Sequence, residues 1–139
     1  MKKFGLFLWI LVSCVSCSKD LASITPVQDM VDTSRLVVKY NGTFENGPYG
    51  SVTGGVTIFT DSSTYLVKLV NVLISNGPDL HVYLSKEQQP LEFIDLGKLK
   101  STSGNQVYPV PGTVDFPSYR YVLIHCQKYN HLFGIALLK

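Results

Sequence analysis

Cysteine and histidine are the residues with the clearest capacity for chemistry here, and half of them lie near the C-terminus. Residues 119–138 read YRYVLIHCQKYNHLFGIALL, with Cys126 inside an apolar run and His125 and His131 within five residues of it; His81 is the third histidine. A thiol can cycle between reduced and oxidised states, or bind a metal-containing cofactor as a thiolate. Cys126 is therefore the candidate redox residue, and the three histidines are candidate cofactor ligands.

Both residue types also have plainer interpretations. A free cysteine often packs as a small apolar side chain, and strand or turn histidines are common. Sites that combine Cys and His usually show two close pairs of ligands, a pattern that this set lacks, so we predict no metal site. The absence of C-x-x-C-H excludes covalent c-type haem. A non-covalent haem with a thiolate ligand, or another prosthetic group, stays open, and the cofactor is unknown.

The alternation of a β-strand assigns Cys126 and His125 to different faces. In Tyr119–Cys126, side chains at every second position share a face. Cys126 then lies with Val122 and Ile124, which predicts at least partial burial. His125 points to the other side, which argues against His125 as a base for the thiol.

The N-terminus indicates a lipoprotein signal. Lys2 and Lys3 precede an apolar segment at residues 4–12, which is shorter than the roughly 20 residues of a membrane span. Leu11-Val12-Ser13-Cys14 resembles the bacterial lipobox, and Val15-Ser16-Cys17 is a second candidate, so lipidation is expected at Cys14 or Cys17. The signal peptide then covers residues 1–16, or ends at 13 if Cys14 is the site. In that second case Cys17 survives and could form a disulfide with Cys126.

Length and charge limit the remaining possibilities. After the signal, the chain of 139 residues is long enough for one domain with a single core. Removal of Lys2 and Lys3 leaves 10 basic and 10 acidic side chains from the original 12 and 10, and there is no basic run. Nucleic-acid binding is therefore not expected. The mixed, polar residues 17–34 are predicted to be a tether.

From residue 35 the pattern is that of β-strands. Short runs rich in Val, Ile, Tyr, Phe and Thr recur at roughly ten-residue spacing, separated by turn compositions such as Asn46-Gly47-Pro48 and Asn76-Gly77-Pro78. The predicted strands are residues 35–44, 51–60, 64–75, 79–84, 91–99, 106–110, 119–126 and 132–138. We therefore predict an all-β, single-domain antiparallel β-sandwich or barrel of about eight strands over residues 35–139.

Other motifs carry less chemistry. Asp79 is interpreted either as a polar contact near a site or as an Asx-type turn. The aromatic residues of the C-terminal third are interpreted mainly as core and cross-strand pairs, with a cofactor or carbohydrate face as the alternative; they are Tyr108, Phe116, Tyr119, Tyr121, Tyr129 and Phe133. The sequence contains neither G-x-S-x-G nor H-E-x-x-H. We do not expect a stand-alone enzyme.

An ordered set of short motifs resembles the DM-thirteen domain, also called the electron-transfer DM domain, over about residues 39–138. The matching pieces are Gly42-Thr43-Phe44, Gly54-Gly55-Val56-Thr57-Ile58, Pro78-Asp79-Leu80-His81-Val82-Tyr83-Leu84-Ser85, Leu96-Gly97-Lys98-Leu99-Lys100, Gly104-Asn105-Gln106-Val107-Tyr108-Pro109-Val110-Pro111, Val122-Leu123-Ile124-His125-Cys126 and Phe133-Gly134-Ile135-Ala136-Leu137. His125 departs from the family pattern, which often has an aromatic residue there.

The resemblance implies a small extracellular β domain whose characteristic cysteine is Cys126, with a redox or electron-transfer role. Together with the N-terminus it gives our functional expectation. The protein would be an extracytoplasmic domain anchored by lipid to the bacterial cell envelope, at the outer membrane, and would exchange electrons with a redox partner protein through Cys126. The alternative is a non-catalytic binding or structural module of the envelope.

Overall fold

Regular structure in the protein is almost entirely β. The computed structural model describes residues 21–139. Within that range a short 3-10 helix at Thr33–Arg35 accompanies nine strands. The strands are β1 (Val27–Gln28), β2 (Val37–Asn46), β3 (Val52–Thr60), β4 (Tyr65–Ile74), β5 (Leu80–Ser85), β6 (Phe93–Lys98), β7 (Ser103–Pro109), β8 (Tyr121–Cys126) and β9 (His131–Leu137). The eight strands predicted from the sequence correspond to β2–β9, and the all-β prediction is confirmed.

The strands form one curled sheet, a half-barrel, in the order β1-β7-β4-β3-β2-β9-β8-β5-β6. All neighbouring strands are antiparallel except β1 and β7, which are parallel. Strand β2 joins the two halves of the sheet, because Val37–Thr43 pairs with β3 while Phe44–Asn46 pairs with β9. The predicted sandwich or barrel is thus a single sheet of nine strands that closes partway on itself.

The inner, concave face of the curled sheet holds the main core. Alternate residues of the central strands fill it, among them Ile58, Leu69, Val82 and Ile124, all with no exposed surface. Burying one such side chain contributes about 1.5–3 kcal/mol relative to leaving it in water. Because both halves of the sheet contribute to this one cluster, the core holds the curl in place.

A second, smaller apolar cluster lies on the outer face of β5, β8 and β9. Tyr83, Leu123 and Leu132 form its buried centre, and Tyr121 and Ile135 pack against them. Strand β5 is consequently buried on both faces along its whole length. The polar side chains of His81 and His125 lie against this outer cluster.

Residues 21–29, within the predicted tether, run along the sheet. Leu21 forms a bridge with Pro78, and Ser23 forms one with Ser101. Val27 then pairs with Gly104 of β7, where φ is +102° and an added Cβ would lie 2.0 Å from the Val27 carbonyl oxygen. Glycine at position 104 is therefore required for this close approach. The sequence analysis missed β1 because two residues are too few to show an alternating pattern.

The predicted signal peptide and both candidate lipidation sites, Cys14 and Cys17, lie outside the described residues. The proposed Cys17–Cys126 disulfide lies partly outside them for the same reason. No helix within residues 21–139 is long and apolar enough to span a bilayer.

Candidate functional site

Cys126 ends strand β8 and faces the main core. Its side chain is 1% exposed, and it is the free cysteine of residues 21–139. The thiol donates a hydrogen bond to the Pro78 carbonyl oxygen over 2.8 Å. The β4–β5 loop therefore covers the sulfur.

The predicted separation of Cys126 from His125 is confirmed. Cys126 packs in the main core with Val122 and Ile124, as alternation predicts. His125 stacks against Tyr83 of the outer cluster instead. The imidazole of His125 is thus on the opposite side of the sheet from the sulfur.

The segment Pro78–Asp79 connects the thiol to the outer face. Asp79 has φ +56°, a left-handed conformation that is uncommon for a residue with a side chain. Its carbonyl oxygen accepts a hydrogen bond from the Gln127 amide over 3.0 Å, immediately after Cys126. Pro78 therefore holds the thiol from one side while Asp79 anchors the next residue of β8.

A histidine between two carboxylates lies beside this segment. The His81 Nδ1 atom is 2.9 and 3.0 Å from the two carboxylate oxygens of Asp95, and Nε2 is 3.2 Å from Asp79 Oδ1. His81 is buried, and the Lys98 ammonium lies 3.6 Å from the same Asp79 oxygen. Both ring nitrogens face carboxylate oxygens, so the ring is held between the two acids. Of the two interpretations of Asp79, the structure supports the polar contact.

Tyr83 is the centre of an aromatic group on the same face. Its ring stacks on Phe93 with centroids 4.2 Å apart, and on His125 at 5.3 Å. The phenol oxygen accepts a hydrogen bond from Gln127 Nε2 over 3.2 Å. Burial raises the pKa of Tyr83, and the nearby Asp95 and Asp79 carboxylates add to the effect, so the phenol is neutral.

His125 is buried without full hydrogen bonding. Among the described residues its Nδ1 atom has no partner, and the side chain is 3% exposed. Burial lowers the pKa of His125, although a hydrogen bond with the Asn130 side chain opposes the shift. The ring is therefore neutral at neutral pH, and its Nδ1 atom is buried without a partner.

The third histidine lies away from this group. His131 stacks face to face on Tyr49, with centroids 3.8 Å apart, and both belong to the turns at one end of the sheet. Tyr129 is exposed next to them. Most of the other C-terminal aromatics pack in or against the two apolar clusters, as the core interpretation predicts: Tyr108, Phe116, Tyr119, Tyr121 and Phe133.

The environment of Cys126 does not fit a haem with a thiolate ligand. Such a ligand binds iron through its sulfur and faces an opening that admits the macrocycle, whereas this sulfur donates a hydrogen bond to the Pro78 carbonyl oxygen and packs in the core. The histidines do not approach it as ligands, and residues 21–139 contain no cluster of three or more Cys, His, Asp or Glu side chains arranged around a metal position.

An open groove of about 460 Å³ crosses the outer face near β2, β8 and β9. Apolar side chains form its floor and polar ones its rim: Tyr121, Ile135 and Leu137, with Asn41, Thr43, Glu45, Gln88 and Lys139. Neither Cys126 nor any of the three histidines lines it, whereas Tyr121, one of the aromatics for which a cofactor or carbohydrate face was the alternative, does.

The sequence analysis missed Tyr83 and Asp95 as members of the site. Alternation along β5 could have placed Tyr83 on the face of His81. Asp95 could not be placed in this way, because the β5–β6 pairing shifts register between Val82 and Tyr83, opposite Gly97. The one signal that could have indicated this bulge is Gly97, a glycine inside β6 with φ +120°.

Comparison with known proteins agrees with this architecture. The family model described as "Electron transfer DM13" matches residues 43–138, which covers β3–β9 and the last four residues of β2. No curated protein matches the chain, and no solved structure does. The match includes Cys126 and the whole Asp79–His81–Asp95 group. Since it spans well over half of the 139 residues, the chain belongs to the DM13 electron-transfer family.

Proposed function

We propose that the protein is an envelope-anchored electron-transfer domain in which Cys126 is a redox group. The observation that carries this proposal is the position of the thiol beneath Pro78, next to the left-handed Asp79. Membership of a family named for electron transfer supports it. Left-handed conformations of residues other than glycine cost energy and concentrate at functional sites.

Burial favours a one-electron step over nucleophilic chemistry. A nucleophilic cysteine needs an exposed thiolate, whereas electron transfer does not require contact between the oxidant and the sulfur. The Cys126 thiol would lose one electron to the oxidised cofactor of a partner protein, and its S–H bond would break. The proton would pass to water when the Pro78–Asp79 segment moves, and the core would shield the thiyl radical until it is reduced again.

Anchoring to the envelope is the second part of the proposal. It is supported by the basic residues, apolar segment and candidate lipoboxes of residues 1–17. Lipid on the first residue of the processed chain would attach the domain to the membrane, with the outer membrane of the bacterial envelope as our proposed location. Metabolic labelling with a fatty acid, in Cys14→Ser and Cys17→Ser variants, tests this. One variant should lose the label, and retention of the label in both would contradict it.

The redox role is tested first by visible spectroscopy of the purified, natively expressed protein before and after dithionite. A band that changes on reduction would reveal a bound chromophore whose ligands can then be mapped. Independently, anaerobic treatment with a one-electron oxidant should consume the Cys126 thiol, and dithionite should restore it, as followed by mass spectrometry of the Cys126 peptide.

Two variants separate chemistry from packing. Cys126→Ser should abolish electron exchange with the oxidant at this position. Val122→Ala removes a buried side chain from the same strand and face but keeps the thiol, so it should lower stability and leave the exchange intact. If the thiol of the folded wild-type chain survives the oxidant unchanged, the proposal for Cys126 fails.

A non-catalytic binding or structural module is the alternative function. The burial of Cys126 favours this alternative. A cysteine that lies in an apolar core and donates a hydrogen bond to a carbonyl oxygen is an ordinary packing residue. This alternative expects Cys126→Ser to affect stability alone. An altered redox phenotype of that variant in cells, at unchanged protein level, would exclude it.

A further inference from the structure

The outer face carries a continuous aromatic group that reaches from the protein interior to the surface. Tyr83 is 1% exposed, whereas Phe93, which stacks on it, is 39% exposed. His125 and His81 complete the group, with ring centroids 5.3 and 6.0 Å from that of Tyr83. A partner that docks over Phe93 would therefore lie one ring away from the Tyr83 phenol.

Tyr83 is suited by its surroundings to lose an electron. The carboxylates of Asp95 and Asp79 act electrostatically on its phenol; their negative charge, which the Lys98 ammonium beside Asp79 offsets only in part, makes removal of an electron easier. Gln127 Nε2 donates to the phenol oxygen, so the O–H bond remains available to release its proton. A neutral phenol that is oxidised at a buried position needs a base to take this proton.

His125 supplies such a base. Its imidazole stacks on the Tyr83 ring, and Nδ1 has no hydrogen-bond partner in the part of the chain that the structure describes. A buried polar atom left unpaired costs about 1–3 kcal/mol, and such atoms call for a functional explanation. An imidazole that stacks on the Tyr83 ring and keeps one nitrogen without a partner provides one, as the acceptor of the phenol's proton.

We propose that Tyr83 is a one-electron redox site and that His125 accepts its proton. A one-electron oxidant, such as the oxidised metal centre of a partner protein, withdraws one electron from the phenol across Phe93. The Tyr83 O–H bond breaks and the proton binds His125 Nδ1 after the phenol and the imidazole turn into hydrogen-bond contact, which they do not make at rest; the products are a neutral tyrosyl radical and an imidazolium. Reduction reverses both transfers. This inference rests on the proposed electron-transfer function, but it does not depend on the Cys126 thiol.

The test uses the full chain and a flash-generated ruthenium(III) polypyridyl complex as the oxidant, with freeze-quenched electron paramagnetic resonance as the readout. Exposed tyrosines such as Tyr49 and Tyr129 should give radicals that decay rapidly. Tyr83 should add a persistent radical, because burial protects it from coupling. Tyr83→Phe should eliminate the persistent component while preserving the stacked ring.

Tyr40→Phe is the matched control, since Tyr40 also stacks on a phenylalanine, Phe116, at 5.4 Å. It should keep the persistent component.

His125→Phe should keep the ring stack but slow the formation of the radical and make its rate depend on buffer base. Cys126→Ser should retain the Tyr83 radical. The experiment therefore distinguishes failure of the Cys126 proposal from failure of the Tyr83 proposal. A persistent radical in Tyr83→Phe, or a His125→Phe rate equal to that of wild type, would overturn the assignment.

Discussion

His125 is the residue whose environment departs most from what its chemistry prefers. Its ring is buried among apolar side chains, and Nδ1 lacks a partner among the described residues. In the folded state burial depresses its pKa below the ordinary value of 6.5. The unfolded chain keeps that ordinary value, so protonation at low pH favours unfolding.

The lowered pKa of His125 leads to a prediction about how stability depends on pH. Above the ordinary histidine value both states are neutral and His125 has no effect on the pH dependence of stability. As pH falls from that value toward the lowered pKa of the folded state, the unfolded chain binds the proton first and stability is lost. His125→Phe should therefore lose less stability than wild type between about pH 7.5 and about pH 5. Urea unfolding of both proteins at the two pH values measures the difference.

The comparison isolates His125 because the other titrating groups are common to both proteins. An equal loss of stability in wild type and variant would show that the unfolded and folded states bind the proton equally well. Phenylalanine retains a ring to stack on Tyr83, so the variant should fold normally.

Asp79 is the second informative residue, because it fixes the loop that covers the thiol. Asp79→Asn tolerates the left-handed backbone but removes the charge that faces His81 and Lys98. Hydrogen bonds to charged groups contribute about 1.5–3 kcal/mol when buried and less when partly exposed, so we expect native-state alkylation of Cys126 to accelerate about threefold to tenfold.

Mass spectrometry of the Cys126 peptide, with rates normalised to those of the denatured chain, measures this effect. The matched control is Asp115→Asn, which alters an exposed turn where Asp115 bonds to Ser118. A shallow dependence on denaturant would identify local opening of the loop rather than global unfolding. Equal rates in wild type and Asp79→Asn would show that the carboxylate does not hold the loop.

At the level of elements, Gly104 determines whether β1 can pair with β7. A methyl group at this position would collide with the Val27 backbone and would also force a side chain into φ +102°. Gly104→Ala should therefore displace β1 and lower the free energy of unfolding by about 1–3 kcal/mol. Hydrogen exchange at the Asp29 amide, which donates to the Asn105 carbonyl, reports the displacement directly.

Gly97→Ala provides the control for backbone strain alone. Its φ is +120°, yet an added Cβ would meet nothing within 4 Å. This variant should be destabilised without faster exchange at Asp29. Release of β1 by Gly97→Ala as well would indicate a general loss of sheet structure instead of a local collision.

How far the sequence predicts an element depends on whether its signal is local. Strands β2–β9 carry runs of β-forming residues between turns, and alternation in β8 correctly separates Cys126 from His125. Strand β1 is too short to have a period. The contact between His81 and Asp95 depends on the register of β5 with β6, which a bulge sets. Such pairings arise from tertiary geometry and are not encoded in any one window.

For the whole molecule, the shared core predicts cooperative unfolding. Strand β2 continues from one half of the sheet to the other, and the main core contains side chains from both halves. Small domains with one core usually unfold in a single transition. Amides of Leu69 in β4 and Ile124 in β8 should therefore exchange with the same free energy of opening. Clearly different values for the two would show that the halves unfold separately.

The bridge between Leu21 and Pro78 has a consequence for how the domain meets its partners. Leu21 lies four positions after Cys17 and seven positions after Cys14, so a lipid on either would hold the bridge within about 14 or about 25 Å of the bilayer surface. The thiol-covering loop would then face a thin layer next to the membrane. Partners confined to the same surface would find it by diffusion in two dimensions, and freely diffusing proteins of ordinary size would be largely excluded from it.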